Sequence, residues 1–151
     1  MGKKRIIRKS GEELVEERKG VDEKVSAQTG AVPSRVAIKE GRVYVYSSYN
    51  NTLISLTDTQ GRVLSQVSAG KIGFKGTKKS TPFAASKVAE TIAQMIANKG
   101  IERVHVFIKG IGPGRDSALR ALGARNFEII SIADITPVPH NGPKAPRLRR
   151  V

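Results

Sequence analysis

The 151-residue chain is predicted to be an α/β protein: a mixed five-stranded sheet with helices, in the order β-β-β-α-β-α-β, with basic extensions at both ends. Three observations predict it. Period-two alternation runs through two closely spaced stretches, 42–47 and 52–58, and a short glycine loop leads from the second into a third strand, the pattern of an antiparallel meander. A helical period of three to four replaces it over 82–98. Two later apolar stretches each follow a helical one, so both join the sheet through crossover connections.

The first strand, Arg42–Ser47, sets Val43 and Val45 against Tyr44 and Tyr46, and the second, Thr52–Asp58, sets Thr52, Ile54 and Leu56 against Leu53, Ser55 and Thr57. Thr59-Gln60-Gly61 makes a short hairpin loop, its glycine available for positive φ, before a third strand at Arg62–Ser68. Thr81 is placed to cap a helix over Pro82–Asn98, with Pro82 at the first helical position. Ala85, Val88, Ala89, Ile92 and Ile96 form its apolar stripe and Gly100 ends it. Val104-His105-Val106-Phe107-Ile108 gives Arg103–Lys109 the composition of a buried strand. A second helix at about Arg115–Arg125 turns Leu119 and Leu122 inward, and Phe127–Ile135 is the last strand. The sheet is expected to be helix-covered.

These elements divide the chain into an N-terminal extension (1–40), a folded domain (41–136) and a tail (137–151). The extension runs from basic (Lys3, Lys4, Arg5, Arg8, Lys9) to acidic. Ser10-Gly11-Glu12-Glu13 has capping-box spacing, which predicts a short helix over Gly11–Lys19. The tail, PVPHNGPKAPRLRRV, places Pro137, Pro139, Pro143 and Pro146 where they forbid helix and interior strand. It strings Lys144, Arg147, Arg149 and Arg150 along an extended backbone suited to a phosphate chain.

The formal net charge is +14, and the excess is spread along the chain: +3 in residues 1–40, +7 in 41–136 and +4 in the tail. Self-repulsion of that size points to a polyanionic partner. No apolar run has the length of a membrane span, and the N-terminal MGKKRIIRKS has neither the apolar run nor the cleavage site of a signal peptide. With no cysteine there is no disulfide framework and no thiolate metal site, as suits a reducing cytoplasm.

Three motifs carry the expected chemistry. The connection Ala69–Ser80, AGKIGFKGTKKS, combines Lys71, Lys75, Lys78 and Lys79 with three glycines and Phe74. Its lysines neutralise phosphates, its glycines admit close approach, and its aromatic ring stacks on a base or wedges a groove. Beyond Lys109, Gly110-Ile111-Gly112-Pro113-Gly114-Arg115 opens the second helix. Pro113 breaks dinucleotide-fingerprint spacing and no P-loop Lys-Ser/Thr follows, yet glycines, helix start and Arg115 still form a phosphate grip. In Ser48-Tyr49-Asn50-Asn51-Thr52, asparagines that suit a tight turn also present amides to RNA edges.

Together these stretches closely resemble the universal small-subunit ribosomal protein S11 family, bacterial type. The matching segments are YNNTLISLTD (Tyr49–Asp58), GFKGTKKSTPFAA (Gly73–Ala85), KGIGPGRDSALRAL (Lys109–Leu122) and ITPVPHNG (Ile135–Gly142), followed by the Arg149-Arg150-Val151 ending. The resemblance implies a ribonuclease H-like fold that binds ribosomal RNA in the platform of the small subunit, near the messenger exit side. Carried onto this sequence, it marks Asn50, Asn51, Lys71, Lys75, Lys78, Lys79, Ser80, Arg115, His140, Asn141 and Arg149 as RNA contacts. Phe74, Lys109, Lys144, Arg147 and Arg150 join them on the chemistry above. The implied partners are small-subunit rRNA, neighbouring small-subunit proteins and mRNA at the exit side, with no cofactor, membrane or small-molecule substrate. The chain departs from the family at Ile111, where proline is usual, at Pro143, where cysteine is common, and at Leu148, where a basic residue is common. Its N-terminal arm is also longer.

A nuclease is the rival that such a fold raises. Two-metal cleavage needs clustered carboxylates, one of them on the first strand, and Arg42–Ser47 has none. Asp58, Asp116 and Asp134 fall at strand ends and a helix start, and His105 and His140 are far apart in sequence. Fold likeness alone confers no activity, so the chain is read as a non-enzyme. A free-standing RNA chaperone or nucleic-acid architectural protein is the remaining alternative.

Overall fold

The sheet is built around β1 (Glu40–Ser47), because both edges of that strand are taken. The computed structural model describes residues 39–144 and 146; the expected helix at 11–19 and the residues Arg147, Arg149 and Arg150 lie outside the described residues. β1 pairs antiparallel with β2 (Thr52–Asp58), which pairs antiparallel with β3 (Val63–Ser68). On its other edge it pairs parallel with β4 (Arg103–Lys109), which pairs parallel with β5 (Glu128–Asp134). The order is β3-β2-β1-β4-β5, the mixed five-stranded sheet expected.

The turn between β2 and β3 closes on a side chain. Asp58 Oδ1 accepts from the backbone N–H groups of Gln60 at 2.9 Å and Arg62 at 2.8 Å, and Gly61 takes φ 87°. The segment Ala69–Ser80, expected to be an irregular loop, contains a helical turn, α1 (Ala69–Ile72), and a 3-10 turn, Gly76–Ser80. The main helix, α2 (Pro82–Asn98), begins as expected, with Thr81 Oγ1 accepting from the Ala84 N–H at 3.2 Å and Pro82 in its first turn. The last helix, α3 (Gly114–Gly123), starts one residue before Arg115 and ends two before Arg125.

Val43, Val45, Ile54, Leu56, Val104 and Val106 bury one face of the sheet against Val88, Ile92 and Ile96 of α2 and Leu122 of α3. Helix coverage stops there. β3-α2-β4 and β4-α3-β5 both step across the sheet in one direction, and a right-handed crossover then lays its helix on the same side each time. The other face carries no element among the described residues, so the helix cover expected from the sequence lies on one face. Tyr44 and Phe107, in register across β1 and β4, stack there with centroids 5.0 Å apart.

That open face also holds His105, expected within a buried strand but half-buried in fact. Its Nδ1 lies 2.7 Å from Ser131 Oγ and its Nε2 2.9 Å from Glu40 Oε1. The bond from His105 is the main reason the Glu40 carboxyl titrates below its ordinary range, with Arg103 adding to it.

Candidate nucleic-acid interface

One end of the sheet gathers the motifs singled out in the sequence. β1 ends there at Ser47, β2 begins at Thr52, β3 ends at Ser68, β4 at Lys109 and β5 at Asp134. Four connections therefore leave from a common edge: 48–51, 69–81, 110–113 and the tail from 135 onward. Lys71, Lys75, Lys78, Lys79, Lys109, Arg115 and Lys144 belong to this end, against Asp116 and an Asp134 that Arg115 already engages. The opposite end mixes Lys39, Arg62, Lys99, Arg103 and Arg125 with Glu40, Asp58, Glu102 and Glu128, close to balance. A field focused at one end is what a phosphate backbone reads first.

The 48–51 connection is held by its own backbone and Ser48. The Ser48 N–H donates to Asn51 O at 2.9 Å, and Ser48 Oγ accepts from the Asn51 N–H at 3.1 Å. Asn51 is half-buried, its Oδ1 accepting from the Thr52 N–H at 3.0 Å, so its amide NH2 is the group left to donate outward. Asn50 projects from the tip, exposed.

In the lysine segment, Ser68 caps α1 by accepting from the Lys71 N–H at 3.3 Å, which turns the chain sharply outward after β3. Gly73 at φ 120° and Gly76 at φ 56° take backbone shapes that L side chains avoid, and they set the positions of Lys75, Lys78 and Lys79. Lys71, Lys75 and Lys78 are exposed and Lys79 is half-buried. Ser80 donates to Thr77 O at 3.2 Å and keeps its lone pairs as acceptors. Phe74, expected to stack on a base or wedge a groove, is half-buried. It packs against the core and meets Phe83 edge-on at 6.0 Å, because the α1 turn carries it back over the sheet edge. Phe83, half exposed with Lys87 Nζ 5.9 Å from its ring, is the aromatic that faces outward.

The glycine turn docks on the end of β1. The Gly112 N–H donates to Ser47 O at 3.0 Å. A Cβ on Gly114 would lie 2.8 Å from both Ala85 Cβ and Thr52 Oγ1, so only glycine lets α3 start this close to α2 and β2. Arg115 reaches back from the first turn of α3. Its guanidinium donates to Gly110 O, to Thr136 Oγ1 at 3.2 Å and to Asp134 Oδ2. These contacts, with bonds from Thr136, pull the Asp134 carboxyl down to about 2. Arg115 thus braces the turn and the root of the tail, and most of its donors face inward.

The tail leaves through the same brace. The Ile135 N–H donates to Ile108 O at 2.8 Å, and the Gly110 N–H donates to Thr136 Oγ1 at 3.1 Å. His140, Asn141 and Lys144 follow on exposed, non-helical backbone, with Asn141 in the left-handed region at φ 51°. Besides Phe83, the exposed side chains that sequence reasoning missed at this end include Tyr49 at 69% and Ile111 at 64% exposure. A large apolar or aromatic residue between turn formers was the available signal for both. Among the described residues no cluster of His, Asp and Glu is able to hold a metal ion, and no helix is long and apolar enough to cross a membrane.

The pattern that defines ribosomal protein S11 matches residues 41–150, which takes in every element of the sheet and all four connections. The chain belongs to the ribosomal protein S11 family. It is 54% identical over 114 residues to the small ribosomal subunit protein uS11 of Desulfotalea psychrophila, covering 76% of this chain and 90% of that protein. It is 50% identical over 117 residues to uS11 of Chromobacterium violaceum and to uS11 of Neisseria meningitidis serogroup C, each covering 78% of this chain and 89% of the relative. The S11 family is a structural component of the ribosome, and the chain is not an enzyme.

Proposed function

We propose that this protein binds small-subunit rRNA in the cytoplasm through the loop end of its sheet, and thereby supports assembly of the small subunit and translation. The observation that carries the reading is topological. Segments separated by up to about 90 residues in sequence, each basic or amide-rich on its own account, leave one end of one sheet. Lys71, Lys75, Lys78 and Lys79 supply phosphate neutralisation, and Lys109 and Lys144 extend it across the sheet edge. Asn50, Asn51, Ser80, His140 and Asn141 supply hydrogen bonds to sugar and base edges, and Phe83 and Tyr49 supply ring faces. Arg115 holds the glycine turn in shape. Residues 41–136 act as the folded binding unit, and residues 137–151 as a basic strand laid along RNA, with Arg147, Arg149 and Arg150 on phosphates.

The finer placement, in the platform near the messenger exit side with neighbouring small-subunit proteins and mRNA in reach, rests on the family resemblance. The test is reconstitution. Tagged protein expressed in a bacterial host should co-sediment with small subunits and stay bound through a moderate salt wash. Chemical footprinting of the rRNA should then show protections that disappear when the four lysines are changed to Gln. Sedimentation with free RNA alone would favour a free-standing chaperone instead.

A further inference from the structure

Away from the loop end, three side chains form a relay on the open face of the sheet. Glu40 of β1, His105 of β4 and Ser131 of β5 come from three adjacent strands, with Ser131 in register beside His105. Ser131 Oγ lies 2.7 Å from His105 Nδ1, and Glu40 Oε1 lies 2.9 Å from His105 Nε2. Arg103 at 3.6 Å from Glu40 shares the face. Arg42, in register with His105, and Glu128, in register with Arg103, are the other charges beside it.

The carboxyl fixes the tautomer of the ring. Glu40 titrates below its ordinary range, first through the bond from His105 and then through Arg103, so at neutral pH it is ionised and only accepts. His105 Nε2 must carry the proton it donates to Glu40, which in the neutral ring leaves Nδ1 as an acceptor. Ser131 is therefore the donor in the remaining bond. A hydroxyl donating to a base that a third group orients is the arrangement that activates a nucleophile. The chemistry needs one lone pair and one N–H, and either ring nitrogen can supply each. Ser131 is also open to solvent, the only exposed serine among the described residues.

We propose that Ser131 is a site of self-acylation by activated esters, with His105 as its general base and Glu40 positioning the imidazole. Ser131 Oγ attacks the ester carbonyl, and as the new C–O bond forms its proton passes to His105 Nδ1. The bond to the leaving oxygen then breaks. That oxygen takes the electron pair, and the proton on His105 passes to it. Nothing is oxidised or reduced, and the positive charge of Arg103 favours the oxyanion in between. The product is one acyl-serine per chain, a single modification without turnover.

The probe is p-nitrophenyl acetate with the full chain, acetyl groups being located by peptide mass spectrometry. Acetyl-Ser131 should form roughly a hundredfold faster in the wild type than in His105→Gln, the low end of general-base assistance. Glu40→Gln should slow it about tenfold, since an amide no longer dictates the tautomer. The wild-type rate should level off with rising pH once His105 is neutral, whereas His105→Gln should follow hydroxide alone. A purely structural clip between strands would not produce that plateau. If His105→Gln fails to melt cooperatively, Glu40→Gln and the wild-type pH profile decide the matter. Equal Ser131 acetylation in the wild type and Glu40→Gln would overturn the proposal, and so would acetyl groups confined to lysines.

Discussion

Replacing Gly112 with alanine probes the junction on which the RNA-binding end depends. A Cβ at this position would meet Ser48 O, lie 2.6 Å from Ser47 Oγ and lie 2.7 Å from the Ser48 carbonyl carbon. Two of these atoms are backbone and cannot swing aside, so the turn itself must retreat from the end of β1. Overpacking of this kind costs about 1–3 kcal/mol. Loss of the bond from the Gly112 N–H to Ser47 O adds about 1 kcal/mol. The expected total is about 3 kcal/mol, or roughly 10–20 °C in Tm for a domain of this size. Gly123→Ala is the matched control: a Cβ there meets nothing within 4 Å, and helix propensity makes the change neutral or stabilising by up to about 1 kcal/mol. Urea and thermal unfolding of the two variants, followed by rRNA-fragment binding at temperatures where both are folded, separate stability from function. Gly112→Ala should also bind more weakly per folded molecule, since Ser48 holds the connection that carries Asn50 and Asn51. If both variants melt with the wild type, the close approach of the turn to β1 is not what positions this end.

Changing Lys71, Lys75, Lys78 and Lys79 to Gln should weaken rRNA binding by about 1 kcal/mol per lysine and flatten the slope of log affinity against log salt by about 3, with melting preserved; an unchanged slope in filter-binding assays would remove these lysines from the phosphate contacts. Asp134 titrates at about 2 when folded, against an ordinary 3.8, so its contribution to stability is present above about pH 4 and lost as pH falls toward 2. Asp134→Asn should therefore melt below the wild type at neutral pH, and the gap should close across that acid window; a gap constant with pH would mean that the charge of Asp134 is not what braces Arg115. Asn141-Gly142 should form isoaspartate faster in the isolated protein than in assembled subunits, because RNA that fixes the tail denies the Gly142 nitrogen its approach to the Asn141 amide. Peptide mass spectrometry after parallel incubation reads this directly, and equal rates would mean the tail is not clamped.

What the sequence disclosed and what it withheld follow from the range of the interactions involved. Strands and helices were legible because Val43, Val45, Ile54 and Leu56 repeat at the period of a strand, and Val88, Ile92 and Ile96 at that of a helix, each pattern complete within a few residues. The Thr81 cap and the Pro82 start were legible for the same reason. Phe74 and Phe83 were not distinguishable in sequence, since both are aromatic and both border the lysine segment. Only the helical turn at Ala69–Ile72, closed by Ser68, decides which ring turns inward. Arg115 shows the same limit. Sequence made it a phosphate ligand by its place at a helix start after glycines, but its partners Thr136 and Asp134 lie about 20 residues away and come within reach only when β5 pairs with β4. That both long helices among the described residues lie on one face of the sheet is more distant still, because it depends on two crossovers sharing both handedness and direction, a property of the whole topology. Yet each local reading at the loop end was made without the sheet, and the sheet order then brings those segments to one edge. A chain selected only to fold has no reason to place its lysine segment, its asparagine turn, its glycine turn and its basic tail at the same end, accepting there the repulsion that the opposite end nearly balances. The repulsion is tolerable if a polyanion relieves it, which makes this end, rather than the net charge alone, the strongest physical argument for RNA as the partner.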